Sequence, residues 1–267
     1  MSRAVLIELI GPAGCGKTTV AHLVDRALDE RGVPHVSLAE LEAADRQFGE
    51  KRITQYNFPG KTWMILPLAL RHPTVVAVVF ALAYLHGQPH KRRVRQANRV
   101  LAGFRMLKRL RRRHRGQVLV VHEGVLQMLW SMLVESEALR GRWLIRHFLR
   151  RYHRVLKPAG IRFLLDDATV QERVFQRTRG KRFSASSSEQ RRQEFPRWLD
   201  YHRELIALAP PGLIAATVDA GGPAEATARQ VTEVILARVG ERPRRARAGE
   251  GAAGALREGW QPHRRSL

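Results

Sequence analysis

A single cysteine, Cys15, stands among the 267 residues. No intramolecular disulfide can form, and the composition fits a reducing compartment such as the cytoplasm. Acidic residues are scarce too: 24 Asp and Glu face 47 Lys and Arg, a formal charge of +23. Charge of that size bears on solubility and on acidic partners rather than on fold. Much of it is arginine in an Ala- and Val-rich chain, a bias that genomic base composition can produce. Long apolar runs are missing as well. The most apolar region, Trp63–Leu85, is broken by Pro67, Arg71, His72 and Pro73. Its uninterrupted part, Val75–Leu85, is about half the roughly 20 residues a spanning helix needs, so the region reads as a buried or substrate-covering helix pair. Only Ser2 and Arg3 separate Met1 from the first apolar run, and no secretory signal is expected. No basic motif interleaved with aromatics is present, so charge predicts only non-specific, salt-sensitive contact with nucleic acid.

What the chain does have is a loop with a mechanism. The run Ala4–Ile10, apolar apart from Glu8, reads as a buried strand, and Gly11-Pro12-Ala13-Gly14-Cys15-Gly16-Lys17-Thr18-Thr19 follows at once. Val20, Leu23, Val24 and Leu28 then recur at helical spacing. Strand, Gly-rich turn and helix in that order make the G-x-x-x-x-G-K-[ST] phosphate cradle. Its backbone N–H groups and the positive helix end face phosphate oxygens. Lys17 reaches the β- and γ-phosphates, and the Thr18 hydroxyl ligates Mg²⁺. Cys15 fills a variable position of the pattern as a spacer. The expected ligand is ATP with Mg²⁺.

Further strands are expected at Pro34–Leu38, Gln117–His122, Ile161–Leu165 and Leu213–Val218, with helical patterns between them. One of these patterns spans about residues 137–155, another 188–208 with a bend at Pro196, and a last one 223–239. Lys91–Arg115 carries twelve Lys and Arg and no acid, yet keeps Val94, Leu101, Phe104, Leu107 and Leu110 on one face. Strands alternating with helices imply parallel pairing. The fold class is therefore α/β: a doubly wound, mainly parallel five-stranded sheet of the P-loop NTPase type. Residues 1–240 form the domain, with a helical substrate-side insertion at about 50–115. After Gly240 periodicity ends, and 241–267, rich in Arg, Gly and Ala, reads as a disordered basic tail.

A phosphate cradle needs an acidic partner at the end of a neighbouring strand. The strand Val118–Val121 ends in His122-Glu123-Gly124, so Glu123 is placed on Mg²⁺ or on a substrate hydroxyl, and His122 is read as packing. With Gly11–Thr18, Val118–Gly124 and Ile161–Arg177, residues 4–239 resemble the thymidylate kinase-like branch of the nucleoside and nucleotide kinases. The resemblance implies that Arg173 and Arg177 sit close to the triphosphate and that Arg179, Lys181 and Arg182 belong to a lid at about 179–188. It also makes Ala220-Gly221-Gly222-Pro223 a wall for adenine. The chain departs from the family in having no arginine after Glu123 and no Arg-Glu-Pro run after the second strand, where it reads Ala39-Glu40-Leu41. Thymidine monophosphate is thus not implied as the acceptor, and Glu40, Glu42 and Glu123 all stay open as the base.

The expected activity is Mg²⁺-dependent transfer of the γ-phosphoryl group of ATP to a small hydroxyl- or phosphate-bearing molecule. Lys17, Glu123, Arg173 and Arg177 would act, and Arg179 and Arg182 would hold phosphates. Arg71, Arg93 and Arg95 are candidate grips on an acidic acceptor, with Phe58 and Trp63 stacking on a base. The competing reading is an NTP-binding switch or accessory ATPase at a membrane or protein surface. Apolar Trp63–Leu85 beside basic Lys91–Arg115 is the pattern that suits peripheral contact with an anionic bilayer. The oligomeric state, a homodimer included, is open.

Overall fold

The run Val5–Ile10 forms strand β1, and all six residues are buried, Glu8 among them. A strand covered on both faces belongs inside a parallel sheet. The computed structural model describes residues 3–48, 66–86, 90–134, 136, 138–176 and 188–255; for 44–48, 90–92, 176, 188–192 and 241–255 it describes the backbone alone. Its five strands are all parallel, in the order β2-β3-β1-β4-β5. The other strands are β2 (His35–Val36), β3 (Val118–Val121), β4 (Ala159–Leu164) and β5 (Ile214–Asp219), and β1 pairs directly with β3 and β4. Helices α1 (Lys17–Glu30) and α2 (Leu38–Phe48) flank β2, and a helical turn covers 66–71. Then come α3 (Pro73–His86), α4 (His90–Arg113), α5 (Val125–Leu133) and α6 (Arg142–Leu156). Helices α7 (Asp167–Gln176), α8 (Ser188–Ala207) and α9 (Ala224–Ala255) complete the order.

Alternation along β1 divides the core. Ile7 and Leu9 pack with Val20, Val24 and Leu28 of α1 and with Val231 and Ile235 of α9. Leu6 and Ile10 face the opposite layer, built by α3, α4, α5, α6 and α8. The sheet is covered on both faces, as the α/β reading requires. The chain leaves β1 for α1 on one face and leaves β3 for α5 on the other. Since β1 and β3 are neighbours, their connections diverge at the carboxyl edge and open a crevice there, where open α/β sheets bind ligands.

Local signals set most element ends. Gly32 terminates α1 at φ +61, and Val33 N–H bonds back to Leu28 O at 2.9 Å. Ser37 caps α2 through Glu40 N–H to its Oγ at 3.3 Å. Asp25 of α1 accepts the Leu38 N–H at 3.1 Å and lies 3.1 Å from His35 Nε2, tying α1 to β2 and α2.

Two boundaries differ from expectation. The helix expected from residue 137 begins only at Arg142, because Gly141 turns left-handed at φ 64. The chain before it wraps the buried ring of His86, whose nitrogens lie 2.7 Å from Ser136 Oγ and from Arg140 O. The last helix, expected to stop near 239, continues to Ala255 through part of the stretch read as tail. Ala and Arg in that stretch favour helix, against Pro243, Gly249, Gly251 and Gly254. The remainder of that stretch, 256–267, lies outside the described residues, as do 49–65 of the helical insertion. Among the described residues no helix is long and apolar enough to cross a membrane.

Candidate functional site

The loop from Gly11 to Gly16 leaves the carboxyl end of β1 at the crevice. Gly14 and Gly16 sit at φ +89 and +86, conformations that glycine adopts without strain. Gly11 is closely walled: a Cβ there would lie 2.5 Å from Cys15 Sγ and 3.2 Å from Phe163 Cβ. Cys15 is buried in that contact, which suits the spacer reading. Lys17 is buried as well, its ammonium donating to Gly11 O at 2.7 Å and Pro12 O at 2.8 Å. Pro12, Ala13 and Gly16 are half-buried, and Thr18 and Thr19 are exposed on the first turn of α1. That turn has no side-chain cap and no acidic residue. Its free N–H groups and dipole leave a positive concavity with nothing of the helix's own to fill it.

Across the crevice, β3 delivers His122 and Glu123. Glu123 is exposed and its carboxylate lies 3.9 Å from Arg99 of α4. His122 is half-buried, and burial pushes its pKa below the usual histidine range; Lys17 and His22 add to that, against Glu123 and Glu42. Glu40 points elsewhere, 3.6 Å from His114 ahead of β3. Glu123 thus stands at the end of β3 beside Arg99, whereas Glu40 is turned toward His114.

Beneath this edge lies a carboxyl group that sequence reasoning took only for a break in an apolar strand. Glu8 is fully buried, and its Oε1 accepts the Leu126 N–H at 2.8 Å at the start of α5. Its other oxygen accepts from the Tyr152 hydroxyl. A Cβ at Gly124 would run into this carboxylate, so the turn after Glu123 is seated directly on Glu8. Burial raises the Glu8 pKa to about 7, against the lowering effect of its hydrogen bonds to Tyr152, Leu126 and Gln127.

The third wall is α7. A Cβ at Gly14 would lie 2.7 Å from Val174 Cγ2 and 3.2 Å from Val170 O, so α7 rests on the loop. Arg173, half-buried, is in its last turn. Asp166 caps the helix by accepting the Thr169 N–H at 2.8 Å. Asp167 pairs with Arg203, and Phe175 meets Phe195 at 6.0 Å between centroids, which joins α7 to α8. Arg177, expected beside Arg173 at the triphosphate, and Arg179, Lys181 and Arg182 of the expected lid lie outside the described residues. Phe58 and Trp63 do too.

Other expected residues go to different places. Arg71 contributes, with Arg112 and Arg3, to the field that lowers the Lys108 pKa after burial. Arg3 precedes β1, so this group lies at the amino edge of the sheet. Arg93 stacks over Tyr84 at 4.8 Å, and Arg95 is exposed on α4. Ala220 holds the end of β5 to β4 through its N–H to Leu164 O at 2.8 Å, and Gly221 N–H closes on Asp219 at 2.8 Å.

Two residues near the loop carried no readable sequence signal. Arg162 stands beside Ile10 in the β1–β4 register. His202 of α8 is buried, its Nε2 without a partner among the described residues. Its pKa is lowered to about 3, by burial first and then by Lys17, Arg162 and Arg203. Among the described residues, the His, Cys, Asp and Glu groups close enough to share a metal ion are Asp25, Asp29 and His35, away from Thr18 and Glu123. No protein-family model matches the chain, and no curated protein matches it.

Proposed function

We propose that this chain is a phosphotransferase of the thymidylate kinase-like kind, moving the γ-phosphoryl group of ATP to a small hydroxyl- or phosphate-bearing acceptor in a reducing cytoplasm. The observation that carries the reading is the loop itself. Two left-handed glycines, an uncapped helix start and a buried lysine ammonium converge at the carboxyl edge of the central strand. Such a concavity is matched to the oxygens of a polyphosphate.

Oxygen donors suited to Mg²⁺ stand on either side: the exposed Thr18 hydroxyl and the exposed Glu123 carboxylate. Bound there, the ion would neutralise charge on the β- and γ-phosphates. Lys17 leaves the Gly11 and Pro12 carbonyls to reach phosphate oxygens, exchanging neutral acceptors for charged ones. We assign Glu123, exposed at the end of β3, to accept the proton of an attacking hydroxyl, with Glu42, whose charge is felt at His122, as the alternative. Arg173, on the helix that touches Gly14, adds positive charge beside the donor. The switch reading has no observation of its own in the loop, and it remains an outcome of the test.

The test is product formation from γ-labelled ATP across panels of nucleosides, nucleotides and sugars, run on wild type and Lys17→Ala. Transfer by wild type alone, with Lys17→Ala reduced by roughly a hundredfold or more, is expected. Hydrolysis without any acceptor would favour the switch reading instead. Silence from both proteins would remove the phosphotransferase.

A further inference from the structure

We propose that the outer face of α4, α3 and α6 is the surface on which this protein lies against an anionic lipid bilayer. The proposal is independent of nucleotide chemistry. It begins from α3, where Val75–Leu85 contains no charged residue. The helix buries Val75, Val78, Val79, Leu82 and Ala83 inward. Its other side is equally apolar: Ala77, Tyr84 and Leu85 are exposed, while Val76, Phe80 and Ala81 are half-buried against the core. A helix that is apolar all round belongs in a core or at a lipid boundary. Tyr84 is 68% exposed, and Trp143, at the start of α6, is 71% exposed.

Helix α3 lies between two cationic ones. At its end, Tyr84 carries the Arg93 guanidinium of α4, and a Cβ at Gly141, just before α6, would lie 3.0 Å from Leu85 Cδ1. At its start, His72 contacts Lys108 of α4 and feels the charge of Arg151 of α6. Both neighbours therefore run antiparallel to α3 along its length. Helix α6 exposes Arg146, Arg150 and Arg154 at four-residue spacing, and α4 exposes Arg95, Arg109, Arg112 and Arg113. No Asp or Glu occurs from Lys51 to His122, nor from Ala138 to Leu165.

An apolar ridge with Trp and Tyr, bordered by arginine rows, fits the headgroup region. The ridge enters the interface, the aromatic rings sit at headgroup depth, and the guanidinium groups meet lipid phosphates. Beside Trp143 lies a groove of about 830 Å³, floored by Leu139, Ala207 and Leu208; Arg142 on its rim is paired with Glu204 of α8, which leaves Arg146 as the rim cation that faces outward. Charge selects this occupant over others. A second copy would set arginine rows against arginine rows. A polyanion in water would engage the rows and gain nothing from the ridge.

The experiment is co-sedimentation of the full chain, at about 0.15 M salt, with vesicles of phosphatidylcholine alone or with phosphatidylserine. Wild type is expected on the anionic vesicles only, with Trp143 emission shifted to the blue, a shift that Trp143→Phe lacks. Arg150→Glu with Arg154→Glu should weaken partitioning by about tenfold or more. Tyr84→Ser with Trp143→Ser should weaken it as well, and circular dichroism melts confirm that these surface variants are folded. Absence of binding, or equal binding to both vesicle types, overturns the proposal. So does a serine variant that binds like wild type, since charge elsewhere on the molecule would then suffice. Two further results overturn it: self-association that the serine variant abolishes, and a Trp143 shielded from aqueous quencher without vesicles, which would mean that segment 49–65 covers the face.

Discussion

Glu8 shows how one residue sets a pH dependence. A carboxyl group inside a strand buried on both faces loses its hydration, and the hydrogen bonds from Leu126, Gln127 and Tyr152 recover only part of that. Its pKa stands at about 7 in the fold, against an ordinary value of 4.5. Between these values the folded protein holds a proton that the unfolded chain has released, so stability falls as pH rises through this window and is level above it. The difference is worth about 3 kcal/mol in order of magnitude. Glu8→Gln keeps an acceptor for Leu126 N–H and removes the charge. Thermal melts from pH 4.5 to 8 should show the wild type losing stability relative to Glu8→Gln as pH rises. Parallel curves would mean that Glu8 is ionised throughout. Taking the difference between the two proteins also cancels His202, whose lowered pKa works in the opposite direction below pH 6.5.

Among elements, the strand, loop and α1 unit was legible because its requirements are local. Gly14 and Gly16 stand where positive φ is needed, Lys17 follows, and Val20, Val24 and Leu28 mark the buried stripe. The strands were legible because parallel strands covered on both faces are continuous apolar runs. That same continuity hid Glu8: without alternation, nothing in the run says which side chain faces which layer. Contacts across long separations were not readable either. Arg99, not Arg71 or Arg93, reaches Glu123, because where α4 lies on the sheet decides which arginine is near. The start of α6 was misplaced because His86, far back in the chain, ties down Ser136 and Arg140, and Gly141 turns left-handed before the helix begins. The seat of α7 on the loop was likewise invisible, and it has a measurable consequence. Alanine at Gly16 meets only left-handed strain, with no atom within 4 Å, whereas alanine at Gly14 adds the collision with Val174. Gly16→Ala should cost about 1–2 kcal/mol, and Gly14→Ala about as much again. On the proposed function, ATP affinity is expected to be roughly tenfold or more lower in Gly14→Ala, since the loop and α7 must part. Equal melts for the two variants would separate α7 from the loop.

Across the molecule, acid is missing from two stretches of one layer, although α8 in that layer carries Glu194, Asp200 and Glu204. The layer of α1 and α9 mixes signs, with Asp25, Asp29, Glu225 and Glu233 among its cations, and Arg31 pairs with Glu233 at 3.3 Å. The opposite layer sets α4 beside α3 and α6, with arginines at four-residue spacing along α6 and no acid in either stretch. Like charges at that spacing repel by a few tenths of a kcal/mol per pair, and a net charge of +23 adds a diffuse repulsion over the surface. Both terms oppose the compact state, and both are screened once the Debye length falls to about 8 Å near 0.15 M salt. The hydrophobic layers beneath do not depend on such screening. The melting temperature should therefore climb between low salt and about 0.15 M NaCl, a rise of several degrees for a loss of repulsion on the order of 1–2 kcal/mol. Arg150→Glu with Arg154→Glu lowers the net charge by about four and turns the repulsion between positions 146 and 150 into attraction, while 150 and 154 stay like-charged. It should melt higher than wild type at low salt and respond less to added salt, measured by calorimetry at pH 7. A melting temperature that falls with salt would mean that attractive pairs such as Arg31–Glu233 and Arg203–Asp167 outweigh the arginine rows.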